Sequence, residues 1–149
     1  MTFNSTEQAD AILTQLRADL IPLGITTISR GRLTRLPPPP AAILVGPGIR
    51  MRSLAIKQDE AQFDWMLVIM RPIAEDEERA EELDTWADAA GQSILTVTCS
   101  HPSMSRLAGD GPDRLNDDSL IELLQGLGRQ VDATILRFTT LREILLPCA

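Results

Sequence analysis

"FDWMLVIM", Phe63 to Met70, decides how this chain folds. In an extended strand successive side chains point to opposite sides, so Phe63, Trp65, Leu67 and Ile69 share one face and Met66, Val68 and Met70 the other. A strand that is apolar on both faces has to be covered on both, by its own helices or by a neighbouring subunit. Pro72 ends it, because proline has no N–H to give to a ladder. Just upstream, "QDEAQ" (58–62) reads as the tip of a hairpin, and Ile49–Lys57 as its weaker outgoing strand. In that strand Met51 is out of phase with Leu54 and Ile56, and Arg50 and Arg52 interrupt the apolar pattern. Ala41–Val45 is a further strand, closed by the turn "GPG" at Gly46–Gly48.

Before it, Pro37–Pro40 follow a segment carrying Arg30, Arg32 and Arg35 with no acid nearby. Each proline fixes φ and removes a donor, so the run predicts an extended polyproline II rod outside any ladder. Such a rod either holds the Arg30–Arg35 loop at a fixed offset or keeps a sheet edge from pairing. The β-branched Ile25–Ser29 predicts a short strand leading into that loop. Earlier still, Ala9, Ile12, Leu13, Leu16 and Leu20 recur at helical spacing, with Glu7, Asp10, Gln15 and Arg17 on the other face. This predicts a surface helix over residues 6–21. Ser5 and Gln8 have the form of a capping box, and Pro22 and Gly24 stop the helix.

Downstream of Pro72, the stripe Ala80, Leu83, Ala87, Ala90, Ile94 and Val97 predicts a second helix over residues 74–97, with Trp86 beside it. Glu75–Glu78 crowd its first turn, where the helix dipole favours negative charge. The β-branched Thr96–Thr98 leaves its end open. Ser100–Asn116 is rich in Pro, Gly, Ser and Asp and reads as a long loop. Leu120, Leu123, Leu124 and Leu127 match a short helix within 119–128, where Ser119 and Glu122 form another capping box. "VDATILRFTTLREIL" (131–145) alternates as a long closing strand ending near Ile144. The order α–β–β–β–α–(α)–β implies an α+β fold: a mostly antiparallel β-sheet packed against two main α-helices, with a long hairpin.

A chain of 149 residues with 44% hydrophobic content supports one domain with a real core. Its net charge of −7 argues against general nucleic-acid binding, which needs a basic surface. The N-terminus shows no signal-peptide pattern, and apolar runs such as Trp65–Met70 fall far short of the ~20 residues a membrane helix needs. Cys99 and Cys148 give no disulfide framework, which points to a reducing cytosol. Charge is unevenly spread. Residues 24–58 carry Arg30, Arg32, Arg35, Arg50, Arg52 and Lys57 and no acid, whereas residues 59–88 carry eleven acids against Arg71 and Arg79. Two such blocks either pair within one copy or lie on separate surfaces and join one copy to the next.

Catalytic signals are poor. Cys99–Ser100–His101 sets a thiol, a hydroxyl and the single imidazole together, but i, i+2 geometry on one segment rarely aligns a nucleophile with its base. No further histidine or cysteine completes a metal set. Asp110, Asp113, Asn116, Asp117 and Asp118 do not match a calcium-loop spacing. "GPGIR" lacks the ending of a phosphate loop, and the arginines lack interleaved aromatics for base stacking. The residues predict no catalytic group, no metal and no cofactor.

The whole layout is an N-terminal amphipathic helix, a strand, the basic "RGR" segment, a proline-rich entry to an apolar strand, a long hairpin, the acidic helix "EERAEELDTWADA" and a closing strand. It resembles the tail terminator (tail completion) proteins of long-tailed bacteriophages and related phage-like particles. The long Ser100–Asn116 loop and the third helix expected within 119–128 depart from that pattern. The resemblance implies a virion structural protein, assembled in the host cytoplasm, that caps the tail tube as a homo-hexameric ring and ends tube polymerisation. Its partners would be the tail tube protein and a neck or head-completion protein. The candidate interface residues are Arg30, Arg32, Arg35, Arg50, Arg52 and Lys57 on the basic side and Glu77, Glu78, Glu81 and Glu82 on the acidic side. The alternatives are another neck or head–tail joining component, or a small monomeric adaptor that binds a partner at a sheet edge.

Overall fold

A computed structural model of the chain describes residues 5–32, 37–55, 58–72, 77–100, 106–107, 111–115, 122 and 131–145. In chain order it contains α1 (Ser5–Leu20), a 3-10 turn (Ile21–Leu23), β1 (Thr27–Arg30), β2 (Ala41–Ala55), β3 (Gln58–Pro72), α2 (Glu77–Ser100), β4 (Arg106–Leu107), β5 (Asp113–Leu115) and β6 (Val131–Leu145). The strands form one sheet in the order β1-β2-β3-β6-β4, with β5 also paired to β6. Among the described pairs β1 and β2 run parallel and the others antiparallel. This is the expected α+β arrangement, a mostly antiparallel sheet with two main helices.

The double-sided apolar pattern of Phe63–Met70 has its counterpart in two clusters. On one face, Ala42, Leu44, Phe63, Trp65, Leu67, Ile69, Leu136 and Phe138 meet the stripe of α1 and Trp86, Ala90 and Ile94 of α2. Each large side chain buried there contributes about 1.5–3 kcal/mol. On the other, Ala41, Ile43, Val68, Met70 and Ile135 are buried, with Val45, Met66 and Ala133 against them. Both faces are therefore covered in the isolated chain, and no neighbouring subunit is needed for that.

Polar groups inside the helix-covered layer are paired. The Trp65 indole N–H donates to Thr140 Oγ1 at 3.0 Å, and the Thr140 hydroxyl donates to Gln8 Oε1 at 2.7 Å, tying β3, β6 and α1 through three buried side chains. The Trp86 indole N–H donates to Leu23 O at 3.1 Å, which docks α2 on the turn after α1. Gly24, at φ 111°, gives its N–H to Ile21 O and closes that turn in a conformation that favours glycine. Asp19 on α1 accepts from Gln15 Nε2 and from the Ser93 hydroxyl of α2, and these hydrogen bonds, Gln15's the larger, hold its carboxyl below the usual carboxylate range.

Several local expectations are corrected. "GPG" does not close a turn: β2 runs on to Ala55, and the ladder with β3 passes from Val45↔Met66 to Gly48↔Asp64. Gly46 and Pro47 thus stand opposite Trp65 alone, which is a β-bulge. Gly46 has φ 120°, and a Cβ there would sit 2.9 Å from Asp64 O, so the site needs glycine twice over. The extra residue shifts the pleat by one. Ala42 and Leu44 face the helices before the bulge, and Ile49 and Met51 do so after it, opposite Phe63 and Ala61. The phase change read between Met51 and Leu54 falls at a second shift of register, between Ser53↔Asp59 and Ala55↔Gln58.

"QDEAQ" is not a hairpin tip: β3 already begins at Gln58, and Ala61 is fully buried opposite Met51. Its charges mark the end of a strand, and the connection at 56–57 lies outside the described residues. The prolines do not make a straight rod; residues 38–40 bend, and the Pro39–Pro40 bond is cis. Pro40 O accepts from the backbone N–H and the hydroxyl of Thr26, at 3.3 and 2.9 Å, so the segment is fastened at the start of β1. Within Ser100–Asn116, Arg106–Leu107 and Asp113–Leu115 pair with β6 as short strands, their backbone groups completing its ladder. The expected helix within 119–128 lies outside the described residues, Glu122 apart.

Candidate functional site

Past the bulge, β2, β3 and β6 continue together as an arm, from Gly48↔Asp64 and Asp64↔Thr139 to Ala55↔Gln58 and Gln58↔Leu145, with β4 paired to β6 at its base and Ala61 and Phe63 there still in the helix-covered core. β1 pairs only with Ala41–Leu44, so among the described residues no strand lies along β2 after the bulge. The ladder on that side is finished by two contacts: Gly31 N–H donates to Leu44 O at 3.1 Å, and Arg30 Nε and Nη2 donate to Gly46 O at 3.1 and 3.0 Å. Past that point Ile49 and Met51 are 41% and 43% exposed.

The candidate basic residues fall around this arm. Arg30 is exposed but engaged by the bulge carbonyl. Arg32 is exposed just past β1, where it lines a shallow cleft with Gly31, Val45 and Pro47. Arg50 stands on the face of the arm away from the helices and grips Asp64 with both ends of its guanidinium, Nε to Oδ2 at 2.9 Å and Nη2 to Oδ1 at 3.0 Å. Thr139 donates to the same Oδ1 at 2.7 Å. This exposed pair contributes at most about 1 kcal/mol. Arg52 occupies the strand position opposite Glu60. Arg35, Lys57 and the Arg52 side chain lie outside the described residues.

On the acidic side, Glu77 and Glu78 open α2, and their side chains also lie outside the described residues. Glu81 is exposed, whereas half-buried Glu82 sits 3.8 Å from Nη2 of Arg71. Arg71 is buried, and its Nε and Nη1 have no hydrogen-bond partner among the described residues. Asp84 pairs with Arg114 of β5 at 2.6 Å, and Asp88 is exposed. Among the described residues the two charge blocks therefore meet once within one copy, at Arg50–Asp64. Glu81 and Asp88 stay at the surface of α2, on the opposite side of the sheet from Arg50.

Sequence reading missed two recesses. One, of about 530 Å³, lies beside the bulge between Val45, Asp64, Met66, Asp113, Arg137 and Thr139. The other, of about 430 Å³, runs along α2 past Ala87, Asp88, Gly91, Gln92 and Leu95, with Arg114 on its far wall. A signal for the second was present: Leu95 is an apolar residue off the core stripe, beside a mid-helix glycine. Cys99 is exposed near the end of α2, and His101, Asp110, Asn116, Asp117 and Asp118 lie outside the described residues. Among the described residues no three His, Cys, Asp or Glu groups are placed to share a metal ion, and no helix is long and apolar enough to cross a membrane. What the arrangement presents is an open strand edge with exposed Ile49 and Met51, and a recess along α2 lined by Asp88 and Arg114. No protein-family model matches the sequence, and no curated protein matches it.

Proposed function

We propose that this chain is a virion structural protein of the tail-terminator kind, which forms a ring on the end of a phage tail tube, ends its polymerisation and offers a joint to the neck proteins. The observation that carries the reading is the open edge: past the bulge β2 has no neighbour on its outer side among the described residues, and Ile49 and Met51 are exposed on it. An apolar pair held out on a stiff sheet, in a chain with basic and acidic residues on opposite sides of that sheet, suits a repeated head-to-tail contact. The resemblance in element order supplies the tube and the neck; the charge blocks supply the reason for a salt-sensitive ring.

The test is native mass over a concentration and salt series, with negative-stain images of the large species and of tail tubes mixed with the protein. The expected result is a six-fold ring that seats on tube ends and loosens in high salt. Rings that ignore tube ends would move the protein to another neck or head–tail joining role. The open edge also favours a second reading, a monomeric adaptor that adds a partner strand to β2. A protein that stays monomeric with and without tubes, yet binds an extended peptide along β2, would establish that reading instead.

A further inference from the structure

The cleft at the end of β1 holds about 510 Å³, and its charge is of one sign. Arg30, Gly31 and Arg32 form one wall and Val45, Gly46 and Pro47 of β2 the other, with no acid among them. Arg30 is fixed and only half used. Its Nε and Nη2 donate to Gly46 O at 3.1 and 3.0 Å, which occupies the side edge of the guanidinium and stops it turning. A guanidinium carries five N–H donors in a rigid fork, so its end edge, Nη1 with the second Nη2 proton, is left over. That edge has no partner among the described residues, and Arg30 is exposed. Arg32 stands two residues on, also exposed, with neither a hydrogen bond nor an ion pair among the described residues. Asp64 lies in the other recess beside the bulge, where Arg50 and Thr139 already hold its carboxylate.

We propose that this cleft binds a small oxyanion of the phosphate or carboxylate kind, held by the end edge of Arg30 and closed over by Arg32. Two cations in one acid-free cleft repel each other, and an anion between them replaces that repulsion with two attractions. The Arg30 fork is oriented before any ligand arrives, so binding costs it less rotamer freedom than it costs a loose surface arginine. Its planar pair of donors matches two oxygens of one phosphate or carboxylate group. Val45 and Pro47, both half-buried, give the cleft apolar walls that keep part of the solvent away from the charges. Arg50 belongs to the same basic block in sequence, but it lies outside the cleft and is spent on Asp64. The site does not depend on the assembly reading, since one copy supplies every group in it.

The experiment titrates the full chain with sodium phosphate and, separately, with sodium malonate, against sodium chloride at equal ionic strength. NMR follows the backbone amide and arginine Nε–H signals. Two exposed charge-assisted contacts lead one to expect saturable binding at about millimolar concentration, with the shifts centred on Arg30, Gly31, Arg32 and Gly46. Arg32→Gln should weaken binding about tenfold and leave the thermal midpoint unchanged. Arg30→Lys keeps the charge but loses the fork, so it should weaken binding as well; if it fails to fold, Arg32→Gln decides alone. Arg50→Gln removes a cation outside the cleft and should change the affinity by less than about twofold. Saturation by either anion keeps the site, and the tighter of the two names its chemistry. Shifts no larger than those of chloride at about ten times the expected concentration would overturn the site. So would an affinity that Arg32→Gln leaves intact, or one that Arg50→Gln lowers as much.

Discussion

Replacing Thr140 with valine tests whether the buried chain Trp65–Thr140–Gln8 fastens β3, β6 and α1 as described. Valine matches threonine in shape, so packing around Trp65 and Phe138, whose rings stack at 6.4 Å, is preserved. What goes is one hydroxyl. The Trp65 N–H loses its acceptor, and Gln8 Oε1 loses the proton it receives at 2.7 Å. All three side chains are almost fully buried, so water does not replace the lost partners. Leaving a buried donor or acceptor unmade costs about 1–3 kcal/mol. Two groups are affected, one of them a glutamine with further bonding capacity, so Thr140→Val should destabilise by about 2–4 kcal/mol. In a chain of this size that lowers Tm by roughly 5–12 °C. Thr140→Ser keeps the hydroxyl and loses a methyl group, at about 1 kcal/mol. Urea and thermal unfolding, monitored by tryptophan fluorescence, measure both. Thr140→Val within 0.5 kcal/mol of the unaltered chain (roughly the spread of neutral surface changes), or Thr140→Ser as costly as the valine, would refute the chain as a fastening.

Two further outcomes concern ionised groups. Arg71→Met should leave stability unchanged or raise it by about 1–3 kcal/mol, because it replaces a buried guanidinium whose one described ionic contact is 3.8 Å long with a side chain of similar length; a loss above about 1 kcal/mol in urea would mean that the cation is well paired. Asp19 contributes stability that is present above its unfolded pKa, about 4, and is lost as pH falls through its depressed folded value. The stability difference between the unaltered chain and Asp19→Ala should therefore shrink on acidification below about pH 4; a difference that holds constant down to pH 2.5, roughly the lower limit of such titrations, would show that the Gln15 and Ser93 contacts do not favour the ionised form.

Periodicity made the core legible. α1, the two faces of Phe63–Met70 and the closing strand ending near Ile144 all stem from spacing, because burial on a helix stripe or a pleat imposes it. Local composition misled where tertiary pairing overrides it. Gly46–Pro47 carries turn chemistry, yet β3 holds the strand together across it; the polar run at 58–62 is strand because β2 and β6 pair with it on either side. The bend at 38–40 depends on Thr26 clasping Pro40, fourteen residues away. At the candidate site the basic and acidic blocks were visible as counts, but Arg50 meeting Asp64 depends on a register that the bulge sets. The recess on α2 depends on how β5 and β6 lie against the helix, and spacing within a helix carries no record of that.

The bulge at Gly46–Pro47 also decides which changes of length this chain tolerates. If the strand slipped so that both residues joined a regular ladder, every side chain from Gly48 to Ser53 would change sides. Arg50 would turn toward the helices, and Ile49 and Met51 would turn to the opposite face. Deleting Pro47 alone does the reverse: Gly46 then stands opposite Trp65, and each residue beyond keeps both its partner and its side. The bulge is thus a point where the chain can lose a residue without rewriting its surface, and the second shift of register, between Ser53 and Ala55, is another; one insertion or deletion between Gly48 and Ser53 instead exchanges the faces of the residues from there to that shift. Length variation among chains built on this plan is expected to collect at these two points, as the wear in a machine collects at its adjustable joints.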